Sequence, residues 1–522
     1  MSTAASGGGS LHPQPAKPAA AVHPTMQFLL KILLLPYTAA VAAVRWFGNV
    51  SVAARIAWIV ALFQLVVVLL AVSVVLWTGD RAVLQSWWSP GKGFALLALL
   101  LVVPVLVHQA ARLWLEHQDG RWPDIRAAWD AATVELARQQ IALTESPMFL
   151  VLGTDGGESE RALFAEPSTA LVVKQSPSGG GPLHVFASED AIFVCLSGAG
   201  QTSVAAAAVR AAAADGARTG SSLLAAPAAV ADRDPSGEPL DANTDGGRRP
   251  APTTAALQSG KERREALERL EYACDQLRQT RVPMAAINGV LVLLPLQMNN
   301  PADADASSLG QALGEDLATV TRVLGVRAPV TVLAGVLQDD PAIEELLSRL
   351  EAGKRSAACG QPFPPGLTPT PESLRALALN ATGPLNDLLG ELLLDPRRIA
   401  QQPTNRHLLA MLLRLRLHVS SQLARVLLPA FCPDPHHTGG GRGGVAPLLA
   451  GCYLASISRH PNRRAFVREL LDRVVHLQGE LEWTDESLRA EAWALRTSRG
   501  LFAAVAVMVA AIGAIIWWKV SR

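Results

Sequence analysis

Ile56 to Trp77 carries no charge, and only Gln64 and Ser73 interrupt its run of Val, Leu and Ile with polar groups. About 20 apolar residues in a helix cross the hydrocarbon core of a bilayer. The segment therefore predicts a transmembrane helix. Phe94 to Ala111 predicts a second, kinked at Pro104, which makes an N-terminal hairpin. Leu501 to Trp518 predicts a third, ending in Trp517, Trp518 and Lys519, an interfacial aromatic and basic anchor. Ile32 to Val44 is also uncharged but shorter, contains Pro36 and is bracketed by Lys31 and Arg45. It reads as an interfacial or re-entrant helix. Residues 1–25 read as a disordered tail, and their polar, Pro- and Gly-rich character disfavours a cleaved signal peptide.

Charge sets the expected orientation. The hairpin loop holds Arg81 and Lys92. Arg112, Arg121 and Arg126 follow the second span, and Arg489, Arg496 and Arg499 precede the third. The body, 112–499, is expected on the cytoplasmic side of the membrane, and the hairpin loop and the last few residues outside. All 12 tryptophans lie at 46–129 or 483–518, so the middle of the chain reads as an aqueous domain. Lys and Arg number 46 against 45 Asp and Glu, which leaves no basic field to recruit nucleic acid. The five cysteines form no CxxC, which excludes a zinc knuckle. Their wide spacing predicts reduced, mostly buried thiols.

Residues 112–145 read as a polar helix continuing the second span to Thr144. Strands are expected at Met148–Leu152, Ala170–Val173, His184–Ala187 and Ile192–Leu196. After them, 203–260 shifts to Ala, Gly, Pro, Asp and Arg and reads as a flexible insertion. A helix at 261–279, a strand at Ile287–Leu296, a helix at 308–324 and a strand at Val330–Val336 follow. Alternating strands and helices predict a mostly parallel α/β sheet over 112–370. Residues 371–499 read as a helical extension, broken by the glycine-rich loop Thr438–Gly444 and a strand at Cys452–Ile457.

The sharpest local feature follows the first strand: Gly153-Thr154-Asp155-Gly156-Gly157-Glu158-Ser159-Glu160. A strand, a glycine-rich turn and a helix are the layout of a phosphate-binding loop, GxxxxGK[ST]. Gly153 keeps the first glycine. Glu158 replaces the second, Ser159 the lysine and Glu160 the magnesium ligand. Three carboxylates here would repel a polyphosphate, and they suit a helix N-terminus without a ligand.

Val194-Cys195-Leu196-Ser197-Gly198-Ala199-Gly200, Ile287-Asn288-Gly289-Val290-Leu291, the run Leu324–Leu333, Ala450–Ser456 and Ala465–Leu471 follow in order. Over about residues 50 to 518 this order resembles the TssM (IcmF-like) membrane subunits of type VI secretion systems. The resemblance implies a GTPase-like parallel sheet domain with a helical extension, an N-terminal transmembrane hairpin and a third span. It also implies partners: a TssL-type membrane subunit, baseplate components and further copies of the chain. The family's large periplasmic region is absent after Trp518, so a separate periplasmic chain is one expected supplier of it. Against the family's motifs, Ser197 stands where Asp-Thr-Ala-Gly begins, Gly200 keeps its glycine, and Gln338 replaces the guanine-reading Asp. Loss of all three chemistries predicts a nucleotide-free scaffold without catalytic residues, cofactor or metal. A membrane-bound NTPase switch, with Lys174 or Arg161 replacing the lysine, and a tether or signalling protein outside secretion stay open as alternatives.

Weaker features read as bland. Cys432, Asp434, His436 and His437 cluster in a Pro/Gly loop and are expected to be solvent-exposed. His108 reads as interfacial. Asp339, Asp340, Glu344 and Glu345 read as a solvated helix start.

Overall fold

The computed structural model describes residues 56–68, 98–111, 121–165, 170–208, 260–296, 298, 303–338, 340–394, 402–432, 447–493, 495–497, 499–500 and the single positions 503, 514, 517 and 521. The chain divides into two compact units, Met1–Arg121 with Ala503–Arg522, and Trp122–Phe502.

In the first unit, 56–68 and 98–111 are helical. Both expose large apolar side chains, Phe63 and Leu106 among them. Among the described residues no helix is long and apolar enough to cross a membrane. The remainder of the first expected span, and nearly all of the third, lie outside the described residues. So do 1–25, 26–44, most of the insertion and the glycine-rich loop.

The second unit is an α/β sandwich. Helix α1 (Pro123–Arg138) comes first, followed by β1 (Met148–Leu152), α2 (Glu158–Leu163), β2 (Val173–Ser176), β3 (Leu183–Ala187) and β4 (Ile192–Leu196). After a helical stretch at 201–208 come α3 (Gly260–Arg281), β5 (Gly289–Leu294), α4 (Asp303–Leu324), β6 (Val326–Arg327) and β7 (Pro329–Gly335). Then follow α5 (Ile343–Arg349), β8 (Cys359–Pro362), α6 (Pro371–Leu394), α7 (Gln402–Arg414), a π-helical turn (Leu415–Val419) and α8 (Ser420–Phe431). Strand β9 (Leu448–Ala455), α9 (Arg468–His476) and β10 (Glu482–Trp483) close the unit.

Eight strands form one sheet in the order β2-β3-β4-β1-β5-β7-β9-β8. The central β4, β1, β5, β7 and β9 are mutually parallel, and antiparallel neighbours flank them on both sides. Strands buried on both faces read as unbroken apolar runs. Alternation then sends Met148, Leu150 and Leu152 to one face and Phe149 and Val151 to the other. The first face packs on α1, α3, α4 and α6–α8. The second packs on α2 and α9 around Phe149, Phe164, Phe186 and Phe193, whose rings stack at 4.6–5.4 Å.

Four expectations need correction. The helix at 112–145 is not continuous through 122: Trp122 has non-helical backbone angles and Pro123 opens α1, because proline favours the first helical turn. The 371–499 segment is no separate helical extension of the sheet, since β9 lies between β7 and β8. Strands expected at 170–173 and 452–457 sit at 173–176 and 448–455. The tryptophans are not all interfacial: Trp129 is fully buried in the first core.

Candidate functional site

The connections leaving β1 and β4 go to opposite faces. Helix α2 after β1 joins the second core, while Ala199 and Ala205 after β4 join the first. Such a switch between adjacent parallel strands opens a crevice beyond their carboxyl ends. The sequence-singled residues Gly153, Glu158, Ser159, Glu160, Ser197 and Gly200 all follow these two strands. Gln338 follows β7, with β5 intervening, and its side chain packs back near Gly335.

The turn after β1 is tight. Gly153 has φ +78°, and a Cβ there would lie 2.1 Å from the Leu293 carbonyl oxygen. Only glycine fits. Its N–H donates to Ser203 Oγ at 3.2 Å, and Ser203 donates in turn to the Leu196 carbonyl at 2.6 Å. A backbone donor that a phosphate would need is therefore committed to the protein.

Each loop carboxylate has an internal partner. Asp155 accepts the hydroxyl of Ser159. Glu158 pairs with Arg459. Glu160 is fully buried, accepts the Ser197 hydroxyl, and lies with Oε2 2.7 Å from Nδ1 of the fully buried His184. That last approach is a close contact that lacks the alignment of a linear hydrogen bond. His184 Nε2 meets the Gly179 carbonyl at 3.0 Å. His184 reaches the crevice because β3 runs antiparallel to β4, pairing it with Cys195 at the carboxyl end of β4. Burial, with the charge of Glu160, pushes the Cys195 thiol well above its ordinary value.

The two cations expected to stand in for a loop lysine are placed elsewhere. Arg161 donates to Gln175, and Lys174 is exposed on the outermost strand β2. Helix α2 has six residues, too few to build a strong N-terminal field. The residues present do not fit a magnesium–nucleotide. Nor is the trio a serine–histidine relay: Ser197 donates to the carboxylate rather than to the imidazole.

The loop after β4 is pinned from α4. Asp316, fully buried, accepts the N–H groups of Gln201 at 2.9 Å and Thr202 at 2.8 Å. Gly200 has φ +90°, and a Cβ there would sit 2.9 Å from Asp316 Oδ2. Burial raises the Asp316 carboxyl to about 6, against the pull of those two N–H bonds.

The expected solvated helix start is corrected at Asp340. It is 1% exposed, accepts the Ala342 N–H at 2.8 Å and pairs with Arg414 at 2.8 Å. Asp339, Asp434, His436 and His437 lie outside the described residues, and among those described no group of three His, Cys, Asp or Glu converges on a metal position. Cys195, Cys274, Cys359 and Cys452 are buried free thiols, and Cys432 is half-buried. His108 is half-buried in the 98–111 helix.

Sequence reasoning missed His184, Arg459 and Asp316. The isolated polar residue inside an apolar strand was a signal for His184. The other two depend on tertiary placement.

Residues 263–459 match the family described as IcmF-related N-terminal domain. The match runs from α3 through β9 and includes Gln338, but not the β1 loop or the Glu160–His184–Ser197 trio. No curated protein matches the chain, and no solved structure does.

Proposed function

We propose that this chain anchors and assembles a type VI secretion membrane complex in a bacterial inner membrane, and that its α/β unit is a GTPase-like scaffold working without nucleotide and without catalysis. One observation carries the secretion assignment: the IcmF-related match over 263–459. The apolar segments 56–77, 94–111 and 501–518 support anchoring. The self-partnered carboxylates of the β1 loop support a scaffold, because each takes its counter-group from the fold. On this reading the domain offers binding surfaces to a TssL-type subunit, baseplate components and further copies of itself.

The test is affinity purification of the full chain from native membranes in mild detergent, followed by mass spectrometry. Recovery of a small membrane subunit with baseplate components is the expected result. Recovery of the chain alone, or with unrelated signalling proteins, would sink the assignment.

A further inference from the structure

Residues 402–432 contain four arginines and no Asp or Glu. They form α7, the π-helical turn and α8 in direct succession. One side packs inward through Leu408, Met411, Leu412, Leu415 and Val419, which are buried in the first core. The other side exposes Leu409 at 48%, Leu413 at 50% and Leu417 at 66%. Arg406 and Arg416 are exposed with them. The spacing 406, 409, 413, 416–417 keeps these groups on one helical face. The π turn lies at the end carrying Arg416 and Leu417, and such turns are frequent at functional positions.

We propose that this face docks on an anionic lipid surface, the three leucines entering the headgroup boundary and the two arginines meeting lipid phosphates. Charge decides the occupant. An acid-free basic face with an apolar stripe has the composition of an interfacial amphipathic helix. Pairing this face with the same face of a second copy would set arginine against arginine. The arginine stems can lie along apolar surface while their heads remain in the polar layer. The inference rests on the membrane-anchoring reading above.

The test uses the full chain with Cys432→Ser and Leu413→Cys, labelled at position 413 with an environment-sensitive fluorophore. The four buried thiols are shielded from the reagent. The chain is placed in lipid nanodiscs of phosphatidylcholine alone, or of an equal mixture of phosphatidylcholine and phosphatidylglycerol. Quenching by aqueous acrylamide, a neutral quencher that the surface charge does not repel, is then compared. The proposal expects quenching to fall several-fold in the anionic discs only. Arg406→Glu with Arg416→Glu should restore full quenching while the chain still co-elutes with the discs. Equal protection in both lipids overturns the proposal, because charge then plays no part. Full quenching in both overturns it too and leaves the face to a protein partner. A chain that enters neither disc defeats the anchoring reading separately. The labelled chain mixed with preformed vesicles of the two compositions then tests the face by the same quenching comparison.

Discussion

Glu160, at the start of α2, is turned inward. Its carboxylate accepts from the Ser197 hydroxyl and meets His184, and Glu160 and His184 are both fully buried. Removing one member of a buried hydrogen-bonded group leaves the others unsatisfied. Glu160→Ala should therefore cost about 1–3 kcal/mol, seen as a lower melting temperature of the detergent-purified chain. The apolar replacement Glu160→Met, His184→Leu, Ser197→Ala should recover most of that loss, and a triple variant no better than the single would show that the trio does not act as a unit. Ser159→Lys with Glu160→Thr should not create GTP or ATP hydrolysis, since Ser197 and Gln338 still lack carboxylates. Measurable turnover there would refute the motif placement. Asp316 makes a pH prediction. Its folded value of about 6 lies above the ordinary 3.8, so the native state holds a proton that the unfolded chain releases. The associated stability is present below pH 4 and lost as pH rises through 6, up to about 3 kcal/mol across that window. Asp316→Asn should flatten this part of the pH–stability curve relative to the parent chain, and an unchanged slope would count against a protonated Asp316.

At the scale of elements, α4 and α8 approach closely because Gly310 and Gly314 remove side chains from the contact. A Cβ on Gly310 would lie 2.5 Å from the Val426 carbonyl oxygen and 2.6 Å from Pro429. Gly310→Ala should destabilise by about 1–3 kcal/mol through overpacking. Gly383→Ala, in α6 with nothing within 4 Å, should stabilise by about 0.5–1 kcal/mol, because alanine loses less backbone entropy in a helix. Thermal melts that gave the two changes the same sign would contradict this packing. The central strands were legible in the sequence because parallel strands buried on both faces are apolar runs, as β1, β4 and β5 are throughout and β7 is but for Thr331. Strand β8 was not legible: Cys359-Gly360-Gln361-Pro362 carries no apolar run and pairs only at the sheet edge. The Trp122-Pro123 helix start was present in the sequence as a proline signal and was outweighed by the polar periodicity around it. Asp340 read as solvated because its partner, Arg414, is distant in sequence and only packing brings them together.

In the whole unit, the carboxylates at the switch point of the sheet are answered by side chains of the fold itself. The glycines that shape such a crevice were visible in the sequence, and so was the loss of Lys and Thr from the loop. Asp155 finds its partner, Ser159, within the loop, whereas the partners of Glu158 and Glu160 come from beyond β9, from β3 and from beyond β4, and only tertiary packing pairs them. On the proposed reading, such internal pairing suits a scaffold that works without nucleotide. The most direct test is calorimetric titration of the purified full chain with Mg-GTP and with Mg-ATP, paired with thermal melts at saturating nucleotide. The account predicts no binding heat and no rise in melting temperature for either. Saturable binding accompanied by a rise in melting temperature would contradict it, and would mean that the Glu160 trio opens to admit a phosphate.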